Sequence, residues 1–150
     1  MRLPKFAFSA SAVACGFGPA LAADQCLSTA EVNQAARMFS IMAAGSELRR
    51  CGACLDPDRY VRSVHNYENG LLSDFFNAKD SFKGQEKIDY ADQLVRDAAR
   101  KATSSFSAEC RECTKLADTV DGLTSTEARA KYYEQQAADL AKSAAVKSCP

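Results

Sequence analysis

The chain has 150 residues, with 19 basic and 19 acidic residues and a formal net charge of 0. This balance argues against nucleic-acid binding, because phosphate recognition uses a concentrated positive patch. A single histidine, no tryptophan and no glycine-rich phosphate loop leave few motifs that are typical of catalysis. We therefore expect no cofactor, no resident metal and no nucleic-acid partner.

The first 23 residues have the pattern of a secretory signal peptide. Arg2 and Lys5 precede a short apolar run, and residues 20–22 (Ala-Leu-Ala) match the small-x-small sequence of a cleavage site. The run is too short to cross a bilayer, which takes about 20 apolar residues. We expect residues 1–23 to be removed, and residues 24–150 to form one domain with no transmembrane segment.

Removal of the signal peptide leaves 17 basic and 19 acidic residues, a net charge of −2, since the leader holds two basic residues and no acidic one. Because of this signal peptide, the sequence predicts a periplasmic or secreted protein. A lipid anchor on Cys15 is the less favoured alternative. A lipoprotein signal usually has an aliphatic residue such as leucine three positions before its cysteine, and here Ala12 stands there.

Residues 24–150 favour helix, because they are rich in Ala, Lys, Arg, Glu, Asp and Gln, and no convincing strand appears. The first helix is predicted to begin at a capping box formed by Ser28 and Glu31. Gly45-Ser46 is predicted to end or kink it. A second helix begins at Asp56-Pro57, a capping carboxylate followed by a ring preset to helical φ, and continues past a turn signal at Asn69-Gly70.

The third helix is predicted to be the longest, from a turn at Lys83-Gly84 to Gly122. Its apolar residues recur at close to 3.6 residues per step: Ala91, Val95, Ala98, Ala102, Phe106, Cys110, Cys113, Ala117 and Val120. A fourth helix begins at a capping box over residues 124–127 and ends near Cys149. The sequence therefore predicts an all-α, antiparallel four-helix bundle-like domain, with a less regular all-helical domain as the alternative.

The expected mature domain contains six cysteines, and an even number in an exported chain indicates disulfides. The second helix runs away from Asp56 for about 36 Å, and the third returns from Gly84 by about the same distance. The two Cys-x-x-Cys motifs should therefore meet at one end of the bundle, where antiparallel helices favour nested pairs. The predicted bridges are Cys51–Cys113, Cys54–Cys110 and, toward the opposite end, Cys26–Cys149.

The two Cys-x-x-Cys motifs have two other interpretations. Cys51 and Cys54 have the spacing of a thiol-exchange centre, and the arginine pair before them would favour a thiolate. However, Cys51 follows a helix, where the dipole disfavours an anion. The four cysteines would also suit zinc in a reducing compartment. We favour disulfides, because Cys110 and Cys113 lie on the predicted buried stripe.

Few other residues stand out as functional candidates. His65 has no identifiable nucleophile or orienting acid and is expected to be a surface or packed residue. Adjacent aromatic residues on a helix cannot both face inward, so Phe76 and Tyr132 are candidates for an interaction surface. Packing of both aromatic pairs around an irregular core is the commoner alternative.

The sequence thus predicts a small, exported, non-catalytic helical binding protein whose partner is another envelope or extracellular protein. Inhibitors, immunity proteins and secretion-system accessories have roles of this kind. The alternative function is thiol-disulfide exchange through Cys51 and Cys54. A carrier of a small ligand in an internal cavity is less favoured, because the alanine-rich stripes predict closely packed helices. Neither the partner nor the oligomeric state follows from the sequence.

Overall fold

The computed structural model describes residues 26–143, 146–147 and 149. The predicted signal peptide and Cys15 lie outside these residues. In the described part of the chain, every regular element is helical, and none of the helices combines the length and apolar character needed to cross a membrane. The prediction of an all-α fold stapled by disulfides is confirmed.

The described helices follow one another with short connections. In chain order they are α1 (Thr29–Arg50), α2 (Pro57–Asn66), a π-helical segment (Tyr67–Leu71), α3 (Leu72–Asp80), α4 (Gln85–Ser105), α5 (Cys110–Gly122) and α6 (Thr126–Ser143). The chain passes from α2 to α3 without leaving the helix, and the π turn falls on the Asn69-Gly70 signal. Gly84, with φ of 91°, lies in the connection to α4, as the turn prediction requires.

The predicted helix starts are confirmed for α1 and α2. The Ser28 hydroxyl accepts a hydrogen bond from the Glu31 backbone N–H at 3.3 Å, and a Glu31 carboxylate oxygen accepts one from the Ser28 N–H at 2.8 Å. Asp56 caps α2 in a similar way. At α6 the Ser125 hydroxyl accepts a hydrogen bond from the backbone N–H of Ala128 at 3.1 Å. This cap lies one residue later than the capping box predicted over residues 124–127.

The central element of the fold is α1. Its middle is buried almost all round, and α3, α4, α5 and α6 all pack against it. Small side chains such as Ala35, Ala36 and Ala44 allow this close approach. Because Glu31 pairs with Lys87 and Arg50 reaches the end of α4, α1 and α4 run parallel. The bundle is therefore built around one enclosed helix.

Gly45-Ser46 does not end the first helix, because α1 continues to Arg50. Glycine is needed here for close packing. A Cβ at position 45 would overlap the hydroxyl group of Tyr67, which donates a hydrogen bond to the carbonyl of Ile41 at 3.1 Å.

The prediction of one helix from residue 84 to 122 is also wrong, because residues 106–109 are not helical. Phe106 stays in phase with the stripe before it, yet its ψ of 122° takes the chain out of the helix. Its ring packs in a second apolar cluster with Cys51 and Cys113, apart from the cluster of the α4 side chains. The break allows α5 to turn and pack against α2.

Candidate functional site

Two disulfides join the α1–α2 connection to the start of α5, and a third joins the two ends of the described chain. The pairs, with their Cα–Cα distances, are Cys51–Cys113 (5.3 Å), Cys54–Cys110 (4.8 Å) and Cys26–Cys149 (4.9 Å). They are the three pairs that helix geometry predicts. The first two form the nested bridges at the carboxyl end of α1, and the third closes its amino end.

The nested bridges differ in their surroundings. Cys51 and Cys113 are completely buried, among apolar side chains that include Leu48. In contrast, Cys110 is exposed and is the first residue of α5, and its partner Cys54 is half-buried. A helix amino end lowers the pKa of a thiol, so the cysteine in the usual position of an exchange centre is Cys110. The position of Cys110 at a helix amino end was not predicted, because the sequence indicated one continuous helix with no break before α5.

Each cysteine of the first Cys-x-x-Cys motif is bonded to a cysteine of α5. Cys51 and Cys54 are therefore not joined to each other. In the oxidised form of a conventional exchange centre, these two cysteines would form one disulfide. The zinc alternative would need the same four sulfurs as free thiolates. Within the described ranges, no group of three or more His, Cys, Asp and Glu side chains is arranged to hold a metal.

The helix from residue 57 to 80 presents a solvent-facing row of side chains. Exposed residues recur at steps of three and four along it, and we call Val61, His65, Asn69, Ser73 and Phe76 the outer stripe. Its two ends are large apolar side chains, Val61 at 66% exposure and Phe76 at 55%. They are separated by about 22 Å along the helix axis at 1.5 Å per residue.

The two residues that the sequence proposes for an interaction surface differ in exposure. The exposed Phe76 ring stands edge-on against Phe75, with centroids 5.7 Å apart. Tyr132 is half-buried and packs at the edge of an apolar cluster that contains Leu71 and Tyr133. Val61 was missed, although its neighbours on the inward stripe already leave it facing outward.

A partly buried polar contact fixes α3 against α6 two residues before Phe76. Asp74 accepts hydrogen bonds from Arg129 Nε at 2.7 Å and from the Tyr133 hydroxyl at 2.8 Å. Burial raises the pKa of the Tyr133 hydroxyl, and the hydrogen bond to Asp74 raises it further. The phenol therefore stays protonated and acts as a structural donor.

His65 lies in the middle of the outer stripe and is exposed, in agreement with one of the two expectations from the sequence. The side-chain amide of Asn69 donates to the carbonyl of His65 at 2.9 Å and contacts its ring.

No family model matches the chain, and no curated protein or solved structure matches it either. Its function is therefore inferred from the contacts and exposure of its own residues.

Proposed function

We propose that this chain is a small exported binding protein that uses no catalysis and contacts another envelope or extracellular protein through the outer stripe. The observation that carries the proposal is the exposure of Val61 and Phe76 at the two ends of one helix face. Large apolar side chains cost solvation free energy when they stay exposed, and they supply much of the energy at protein interfaces.

The helix that carries the outer stripe is anchored near both of its ends. At its start, Asp56 caps the helix and the Cys54–Cys110 bridge fixes the preceding loop. Arg59 forms an ion pair with Asp118 of α5, and at the other end Asp74 ties α3 to α6. A surface that is already ordered loses little conformational entropy when it binds a partner.

Export is supported by the disulfides, because such bridges persist mainly in oxidising compartments. We propose that residues 1–23 are removed as a signal peptide and that the protein is periplasmic or secreted. Mass spectrometry of the native protein tests this, and an amino terminus at residue 23 or 24 is expected. A diacylated Cys15 at the amino terminus would instead establish the lipid-anchored alternative.

Photo-cross-linking tests the binding surface. The photoreactive residue p-benzoylphenylalanine is placed at Val61, at Phe76 or, as a matched control, at the exposed Lys131 of α6. The protein is irradiated in its native compartment. We expect the same partner band from Val61 and Phe76 and none from Lys131, and loss of the Val61 band when Phe76→Ser is added. Equal labelling from all three positions, or none from the outer stripe, would contradict the proposal.

Thiol-disulfide exchange through Cys51 and Cys54 remains the second candidate. Its test is a count of free thiols with a mass-tagging reagent, before and after a mild reductant. A structural role predicts no reactive thiol and slow reduction of the buried Cys51–Cys113 bridge. Rapid reduction of that bridge, with turnover of a disulfide substrate that is lost in Cys51→Ala, would favour the exchange function.

A further inference from the structure

A cleft of about 490 Å³ opens between α1 and α4, toward the carboxyl ends of both helices. Three arginines line it, Arg50 from α1 and Arg96 and Arg100 from α4, and none of its lining residues is acidic. Met42 and the buried Ala99 add an apolar portion. The cleft belongs to other helices than the outer stripe, so it is independent of the proposed protein contact.

Each arginine is held by contacts that leave other donors available. Arg50 donates from Nη1 to the carbonyl of Thr103 and lies over the Phe106 ring. The Nε atom of Arg96 pairs with Asp92 at 2.8 Å, which leaves both of its terminal amino groups for another acceptor. Arg100 has 80% of its side chain exposed and only a 3.8 Å contact with an acidic neighbour.

The lining of the cleft carries positive charge without a compensating acid. All three arginines keep guanidinium donors available, and none of the lining residues is acidic. Such donors favour an oxygen-bearing anion as the occupant.

We propose that this cleft binds a small organic anion, with its charged oxygens on Arg96 and Arg100 and its apolar portion against Met42 and Ala99. The planar guanidinium group can donate two parallel hydrogen bonds to a pair of oxygens on a carboxylate or a phosphate. The apolar lining distinguishes such a ligand from an inorganic ion. An extended polyanion is disfavoured, because Asp92 and Asp97 flank the arginines and would repel its further charges.

An NMR titration of the ¹⁵N-labelled, disulfide-intact chain tests the proposal at constant ionic strength. The probe is 2-naphthoate, with acetate and 2-naphthalenemethanol as arms that lack the ring or the charge. We expect saturable shifts at the amides of Ser46, Ala99 and Ser104 with 2-naphthoate, and binding at least about tenfold weaker for both other arms. Acetate or the neutral alcohol binding as tightly as 2-naphthoate would overturn the proposal, as would the absence of saturable shifts.

Two variants locate the charge requirement. Arg96→Gln and Arg100→Gln should each weaken 2-naphthoate binding about two- to fivefold, the range for exposed ion pairs. Lys101→Gln is the matched control, because it removes the same charge from the next residue of α4, which does not line the cleft. An equal effect of Lys101→Gln and Arg100→Gln would show a general charge effect and contradict a site. If Arg96→Gln disturbs folding, Arg100→Gln alone tests the proposal, because Arg100 is exposed and its replacement should leave the fold intact.

Discussion

The two ends of α1 are cross-linked by disulfides in different ways. At its carboxyl end two nested bridges hold the α1–α2 connection against α5, so that either bridge alone keeps these segments together. At its amino end a single bridge, Cys26–Cys149, joins the chain ends, assisted by two backbone hydrogen bonds of Leu27. We expect that the number of bridges at a site does not measure how much each one stabilises.

The physical reason is the size of the ring that each bridge closes while the others stay intact. With Cys51–Cys113 in place, Cys54–Cys110 closes a ring of only about eight residues, worth about 2.5 kcal/mol in the chain-entropy account. With the nested bridges in place, Cys26–Cys149 still closes a ring of about 60 residues, worth about 4 kcal/mol. The single bridge should therefore matter more than either nested one.

The largest expected effect comes from removing bridges in pairs of alanine substitutions. Cys26→Ala/Cys149→Ala should lower the free energy of unfolding by about 4 kcal/mol, and Cys54→Ala/Cys110→Ala by about 2.5 kcal/mol, because the rings differ in size. Urea unfolding of the oxidised proteins measures both. A larger loss from the exposed nested bridge than from Cys26–Cys149 would show that ring size does not govern this fold.

The second effect tests whether packing, in addition to the bridges, stabilises the carboxyl half of α1. Gly45→Ala should cost about 2 kcal/mol, because its Cβ would overlap Tyr67 and displace the hydroxyl from Ile41. Thermal unfolding measures the loss. Gly122→Ala is the control, with nothing within 4 Å of its Cβ, and should be neutral or slightly stabilising. Adding Tyr67→Leu to Gly45→Ala should recover part of the loss, and two alanine variants of equal stability would refute the contact.

The smallest expected effect is the pH dependence of stability that arises at each end of α1. A hydrogen bond from Lys87 lowers the pKa of Glu31 at the amino end, whereas burial raises the pKa of Glu47 near the carboxyl end, with partial opposition from Arg50. A lowered pKa contributes stability above the ordinary value of 4.5, and this stability is lost as pH falls through the folded-state pKa. A raised pKa acts in the opposite direction, so stability is lost as pH rises from 4.5 through the folded-state pKa.

Glu31→Gln should therefore destabilise the protein near neutral pH, by at most about 1 kcal/mol for so accessible a pair, and the difference should vanish in acid. Glu47→Gln should stabilise it slightly near neutral pH, with the gain disappearing below about pH 4. Chemical unfolding across pH 3–7 measures both differences. Curves that diverge from the parent protein in the same direction for both variants would contradict the assigned pKa shifts.

Much of the fold follows from local signals. The capping residues Ser28 and Asp56 satisfy N–H groups within their own first turn, so their role needs no distant partner. The helix rise per residue was enough to predict which cysteines meet, because the second helix and its return have nearly equal lengths. Of the candidate surface, the sequence indicated Phe76 from the outward position of one of two adjacent rings. Val61 was missed because only pairs of adjacent aromatic rings were considered as candidates.

Two features could not be read from local signals. Gly45 looks like a helix end, and only the arrival of Tyr67 from a different helix shows that its missing side chain serves close packing. Phe106 looks like the continuation of a stripe, and only its place beside Cys51 and Cys113 shows why the helix stops before it. In both cases a contact distant in the chain outweighs the local preference.

By itself the sequence determined the helical class, the starts of α1 and α2 and the cysteine pairing, because capping, periodicity and rise per residue act over a few residues. Tertiary structure alone decided that α1 is enclosed, that the long stripe breaks into α4 and α5, and that Arg50 meets Arg96 and Arg100 at one cleft. These outcomes depend on which side chains from distant segments fill the same space. Such packing is a property of the whole arrangement, and no single segment contains it.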